Sequence, residues 1–357
     1  MAHEMGRFEH GGDVFELGDV VDFSANINPL GMPEPAVAAL CANVRDYENY
    51  PDGKCRELRA ALAEAEGAPM RDIVCTAGAS DLIMRVCEVV TPEVALVTAP
   101  CFSEYEQALE KVGARIARHR LSEEDDFAIT ERILNESFFE TSTVASPSPA
   151  RSLVFLCSPN NPTGLTIAPD LVERIVDASS RVGAIVVLDE CFLDFTTVPS
   201  AVPLCERYPN LVVMRAFTKM YAMAGLRLGY GICSDADLVA RIVQAGQPWA
   251  VSGPAQDAGI AALGVQGWVE RTRAYVSTQR AQLVDGLRAC GLRVVPSQAN
   301  YILFQCSKEL YEPLLSRGFL IRRCENYEGL DNSWYRIAVR TEDENAALLA
   351  ALREVCQ

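Results

Sequence analysis

The sequence predicts an α/β protein: a large, mostly parallel, doubly wound sheet domain and a smaller α+β domain. Three observations predict it. Between residues 72 and 232 short apolar runs alternate with segments of helical period, the pattern of β-α units that build a parallel sheet. Three of these runs end in residues that do not belong in a core: SLVFLCSPNNPTG from Ser152, AIVVLDECFLDF from Ala184 and LVVMRAFTKMYAMAGLRLGYG from Leu211. Beyond about residue 250 the alternation gives way to one long helix and several short strands, which marks a second body.

Taken in order, residues 1–48 read as an arm, with turn-rich HGG at 10–12 and SANINPLG at 24–31, then a helix over 33–41 with proline placed early. Tyr50-Pro51-Asp52 precedes an amphipathic helix over 55–66. Residues 72–77 form a strand, and Gly78-Ala79-Ser80-Asp81 opens a helix to 90. The strand 94–99 ends at Pro100-Cys101-Phe102. Residues 137–150, rich in Ser, Thr and Pro, read as a surface connection. Leu171, Val172, Ile175 and Val176 share one face of a helix over 169–182. The second body holds a long helix over 268–289, strands over 292–295, 301–305, 319–321 and 335–339, a helix over 308–317 and a closing helix over 342–355. The expected division is therefore an arm to 48, a large domain from 49 to 250 and a small domain from 251 to 357, with the arm completing the small domain.

The chain has 357 residues, 49% of them hydrophobic, enough for two domains with a large core. A formal net charge of −16 argues against nucleic acid and anionic membrane surfaces as partners. No two of the thirteen cysteines are closer than Cys75 and Cys87, twelve positions apart, there is no C-x-x-C, and there are only three histidines. Disulfide scaffolds and zinc sites are both excluded by that spacing. The start, MAHEMGRFEHGG, lacks the apolar core of a signal peptide and no run approaches a membrane span. The expectation is a reduced cytoplasmic enzyme without a metal.

In an open parallel sheet, ligands bind outside the carboxyl ends of the strands. The three unusual strand ends would bring Asn161, Asp189 and Lys219 together. A lysine after a buried strand is usually a solvated loop residue, since lysine is almost never buried without a task. Here an amide, a carboxylate and an amine converge, and together they suit pyridoxal phosphate. Lys219 would hold the aldehyde as a Schiff base, Asp189 would keep the pyridine nitrogen charged, and Asn161 would donate to the ring oxygen. Gly78, Ala79 and Ser80 at a helix start can turn backbone N–H groups toward a phosphate, and Thr218 and Arg227 point to the same anion. Asp81 is awkward beside a phosphate and suits an internal cap.

SPNNPTG, DECFLDF and FTKMYAMAGLRLGYG, in that order, resemble the fold-type-I pyridoxal-phosphate enzymes of the histidinol-phosphate aminotransferase branch, and the resemblance covers nearly the whole chain. HGG followed by SANINPLG, together with IRRCENYEGL, is more similar to the L-threonine-O-3-phosphate decarboxylases of cobalamin synthesis. The resemblance implies a phosphoamino-acid substrate covered by the arm. His10 and the backbone at Leu30 and Gly31 would contact the substrate, and Arg336 its carboxylate. Arg322 would bind its phosphate, and Phe102 would stack on the pyridine ring. It also implies a homodimer in which Tyr50 reaches the neighbouring subunit's cofactor phosphate. Asn300, in SQANY, is expected to face the same cleft. Phe192 departs from the many relatives with tyrosine there, leaving Asn161 alone to tune the ring oxygen.

One site could run two reactions, because the bond at Cα that breaks is the one standing perpendicular to the cofactor ring. A perpendicular carboxylate leaves as carbon dioxide; a perpendicular C–H gives an aminotransferase. Threonine-phosphate decarboxylation is the expectation and histidinol-phosphate transamination the alternative. A catalytically silent binding relative is disfavoured by the intact Lys219, Asp189 and Asn161.

Overall fold

The computed structural model describes residues 6–139 and 152–356. Most of the expected connection at 137–150 lies outside the described residues. The strands in chain order are β1 (Val21–Asp22), β2 (Ile73–Thr76), β3 (Val94–Ala99), β4 (Arg115–Arg120), β5 (Ser152–Cys157), β6 (Ala184–Asp189), β7 (Leu211–Ala216), β8 (Gly229–Ile232), β9 (Arg293–Val294), β10 (Tyr301–Gln305), β11 (Phe319–Leu320), β12 (Arg322–Arg323) and β13 (Trp334–Ala338).

Seven of them make the large sheet in the order β2-β8-β7-β6-β5-β3-β4. Pairing is parallel throughout except at β8, which runs antiparallel to both β2 and β7. All six residues of β5 are buried, as a strand with helices on both faces requires. Helices Ala79–Val90 and Pro169–Arg181 cover the sheet with Leu82, Ile83 and Val86 and with Leu171, Val172, Ile175 and Val176. The edge strand β4 reads RIARHR, and such charges on an edge discourage pairing with another chain. That composition hid it from a search for apolar runs.

The smaller sheet has the order β12-β13-β10-β9, all antiparallel. Helices Trp268–Ala289 and Glu342–Cys356 accompany it. The arm splits between the two bodies. Its β1 pairs in parallel with β11, and the Phe23 carbonyl accepts from the Ala338 N–H at 2.8 Å. Its helix Glu34–Ala42 instead packs on helix Gly253–Leu263. That second helix belongs to the large body: Gly259 lies against Leu58, Phe217 and Leu228. The boundary expected at residue 250 is therefore displaced past Leu263, because alanine-rich packing there (Ala255, Ala258 and Ala262 are buried) carries no turn or composition signal.

Candidate active site

Strands β5, β6 and β7 are parallel neighbours, with Cys157 beside Asp189 and Asp189 beside Met214. Their carboxyl ends therefore open on one side. Asn161, Asp189 and Lys219 all line a single cleft of about 320 Å³. Lys219 sits in a one-turn helix, Phe217–Met220, directly after β7. Its Nζ lies 5.6 Å from the centroid of the Phe192 ring. Burial, and then the nearby Arg336 and Arg227 cations, lower its pKa from 10.5 to about 8, against the opposing pull of Cys191 and Asp189. An amine so placed is a far better nucleophile at neutral pH than a surface lysine.

Asp189 is buried, which raises its pKa; bonds from Cys191 and Tyr105 and the charge of Lys219 counter the rise. Its Oδ1 accepts from the Cys191 N–H at 2.9 Å and its Oδ2 from the Tyr105 hydroxyl at 2.6 Å. A buried carboxylate opposite an amine is a donor set suited to a charged pyridine nitrogen.

One end of the cleft is formed by a helix start. Gly78, at φ 90°, caps helix Ala79–Val90, and Ala79 and Ser80 line the cleft beside Thr218 and Arg227. A Cβ on Gly229 would fall 2.6 Å from the Gly78 carbonyl carbon and 2.7 Å from the Ala79 nitrogen, so only glycine lets β8 seat this turn. Asp81 turns away: its Oδ2 accepts from the Ala77 N–H at 2.8 Å, and its Oδ1 from Arg85 Nε at 2.8 Å. The bond from Ala77 reaches back to the residue before the Gly78 cap rather than to a helix N–H, so Asp81 ties the turn and does not cap the helix; Arg85 neutralises it. Strand ends, helix start, carboxylate and amine thus fit pyridoxal phosphate; Ala79, Ser80, Thr218 and Arg227 line the end of the cleft where its phosphate would be held.

The opposite wall comes from the arm and the small domain. Arg322 and Arg336 are partners in register on β12 and β13, and both line the cleft. Arg336 donates to Asn161 Oδ1, to the Tyr327 hydroxyl at 3.1 Å and to the Ser24 carbonyl at 2.8 Å. Arg322 donates to the Glu9 carbonyl and to Asn326 Oδ1 at 2.9 Å. His10 lies 2.7 Å from Glu104 through Nε2, and its ring is 5.6 Å from that of Phe102. Phe192 is packed edge-on to Tyr301, at 4.9 Å between centroids.

Five expected residues do not line this cleft, Gly78 among them, which caps the helix whose next two residues do. Asn300 is fully buried elsewhere, and its amide meets no hydrogen-bond partner among the described residues. Leu30 and Gly31 form a turn that closes on Asn28: the Leu30 N–H donates to Asn28 Oδ1 at 2.9 Å and the Gly31 N–H to the Asn28 carbonyl at 3.1 Å. Asn28 in turn grips the Lys219 helix, its Nδ2 donating to the Met220 carbonyl at 2.7 Å and its N–H to the Lys219 carbonyl at 3.1 Å. Tyr50 is 80% exposed and stacks on Trp249 at 4.4 Å. Sequence reasoning missed Ser24, Glu104, Tyr105 and Tyr327 as site residues. None of them carried a signal of its own: Phe102 precedes helix Glu104–Lys111, so even Tyr105 has no helical spacing from it.

Residues 18–352 match the model of the family described as aminotransferase class I and II. Threonine-phosphate decarboxylase of Salmonella typhimurium is 37% identical over 97% of this chain and 96% of its own length. Histidinol-phosphate aminotransferase 2 of Archaeoglobus fulgidus is 32% identical over 94% of this chain and 93% of its own. Among solved structures, histidinol-phosphate aminotransferase from Clostridium acetobutylicum superposes with a TM-score of 0.84 at 28% identity, covering 94% of this chain and 98% of that one. Sheet order, strand-end chemistry and full-length similarity lead to one lineage, and the chain belongs to the aminotransferase class I and II family, as a pyridoxal-phosphate enzyme of fold type I.

Proposed function

We propose that the protein decarboxylates L-threonine O-3-phosphate to (R)-1-aminopropan-2-yl phosphate, a reaction of cobalamin biosynthesis. The observation that carries this reading is the register pair Arg322 and Arg336 facing one cleft with Lys219. Two guanidinium groups and an amine nucleophile suit an amino acid that bears a carboxylate at one end and a phosphate at the other. The full-length similarity to the Salmonella typhimurium threonine-phosphate decarboxylase supports it.

In this reading Arg336 holds the substrate carboxylate and Arg322 its phosphate, with His10 closing the arm over both. When bound, pyridoxal phosphate supplies an electron sink for the bond that breaks at Cα. Asp189 would hold the ring nitrogen charged and Asn161 would donate to the ring oxygen. Phe102 would stack on the ring, and Phe192 would add no donor. Lys219, with its lowered pKa, gives a proton to Cα after carbon dioxide has left. Binding energy at the phosphate fixes which bond stands perpendicular to the ring.

The working unit we propose is a homodimer in which Tyr50 crosses to the partner's cofactor phosphate. Its exposure, and that of its stacking partner Trp249, support that role. Among the described residues no helix is long and apolar enough to cross a membrane.

The test is incubation with L-threonine phosphate and no keto acid, following carbon dioxide. Release over many turnovers is expected. No release, with stoichiometric conversion of the cofactor to its amine form by histidinol phosphate, would establish the aminotransferase instead.

A further inference from the structure

We infer that Tyr105 is a positioning residue that fixes the plane of the Asp189 carboxylate toward the cofactor ring. The inference rests on the reading that Asp189 meets the pyridine nitrogen.

Asp189 is buried, so both its oxygens have left water and each needs a donor. The two donors come from different parts of the large domain. The Cys191 N–H, two residues along the chain, meets Oδ1, and the Tyr105 hydroxyl, from helix Glu104–Lys111, meets Oδ2 at 2.6 Å. An O–H donor to a carboxylate at that separation is a strong hydrogen bond. One donor alone would leave the carboxylate free to rotate about its own Cβ–Cγ bond; two donors on opposite oxygens define its plane.

The phenol is itself fixed. Tyr105 is only 1% exposed, its ring stacks on Phe155 of β5 at 4.8 Å and 7°, and Phe102 meets it edge-on at 5.6 Å. Phe102 is the ring assigned to the cofactor face. One short segment, from Phe102 to Tyr105, thus reaches the cofactor twice: directly from the face, and through Asp189 at the nitrogen. Burial and the adjacent Asp189 charge hold the Tyr105 hydroxyl well above its ordinary pKa, so it remains a donor across the working range.

A tyrosine that merely filled the core would owe its value to volume and stacking, which Tyr105→Phe preserves. That substitution removes only the oxygen. The expected result is a loss of about tenfold in the affinity of the apoprotein for pyridoxal phosphate, read by absorbance titration, with a folded apoprotein that still unfolds cooperatively in urea. In the loaded enzyme kcat should fall while KM for the phosphoamino acid stays near its original value. Tyr105→His, which returns a donor, should recover part of the affinity. Asp189→Asn is the reference. Combining it with Tyr105→Phe should be no worse than Asp189→Asn alone, because the two act through one bond.

Unchanged affinity and kcat in Tyr105→Phe, beside a strong defect in Asp189→Asn, would overturn the inference and leave the Asp189 assignment standing. An Asp189→Asn protein that binds the cofactor normally would overturn both.

Discussion

The two walls of the cleft are made differently. The cofactor wall is local: Asp189 ends β6, Asn161 and Lys219 follow β5 and β7 within a few residues, and Gly78 to Ser80 open the helix after β2. The substrate wall is distant: Arg322 and Arg336 from the small domain donate to the Glu9 and Ser24 carbonyls of the arm, each more than 300 residues away in sequence. A wall fixed by strand ends keeps one geometry. A wall assembled from an arm and a second domain can differ between relatives that share a cofactor, which is how one sheet serves both decarboxylases and aminotransferases.

The first way to break this comparison is to remove the chemistry on the cofactor wall. Lys219→Ala should lower turnover by on the order of 10⁴-fold or more, measured as carbon dioxide release, while substrate binding persists. Normal turnover would sink the whole assignment. On the substrate wall, Arg336→Ala should raise KM and cost about 10²-fold in kcat/KM, since it removes a buried charge from its anion. Cofactor affinity measured on the same protein should hold; a large loss would mean that Arg336 serves the cofactor wall instead. Arg322→Ala should cost less, about tenfold, and only for phosphorylated substrates. Equal losses on a phosphate-free amino acid would remove Arg322 from the phosphate role.

Gly229→Ala sharpens the comparison through stability. The new methyl must displace the Gly78–Ala79 turn, at a cost of about 1–3 kcal/mol, visible as a lowered urea midpoint and weaker cofactor binding together. The smallest effect is a pH profile. Because the pKa of Lys219 is lowered to about 8, half of it is neutral near that pH, whereas an ordinary lysine would be almost entirely charged. The rate at which apoprotein captures pyridoxal phosphate should therefore climb with pH and level off above about 8. A profile still climbing at 10 would contradict the lowered pKa.

The same contrast decides what could be read from the sequence. Strand ends are legible because an apolar run that stops at Asp189 or Lys219 carries both the strand and its chemistry. The large sheet was readable for that reason, apart from β4, whose charges belong to an edge. Tyr105, Tyr327 and Ser24 were not readable, because they act through partners that are close only in space. Asn300 shows the reverse: expected at the cleft, it lies just before β10, fully buried and outside the cleft lining. Helix Gly253–Leu263 was assigned to the wrong body because small residues that pack anywhere say nothing about which neighbour they meet.

The grip of Asn28 ties the arm to the turn that holds Lys219. The bond from Asn28 to the Met220 carbonyl spans 192 residues, and none of the seven strands of the large sheet depends on it. A chain shortened to begin after Asn28 would therefore keep every strand of that sheet and its lysine, and lose both bonds from Asn28 to the turn. The sheet can hold the lysine in place while the arm helps decide how tightly that lysine is aimed.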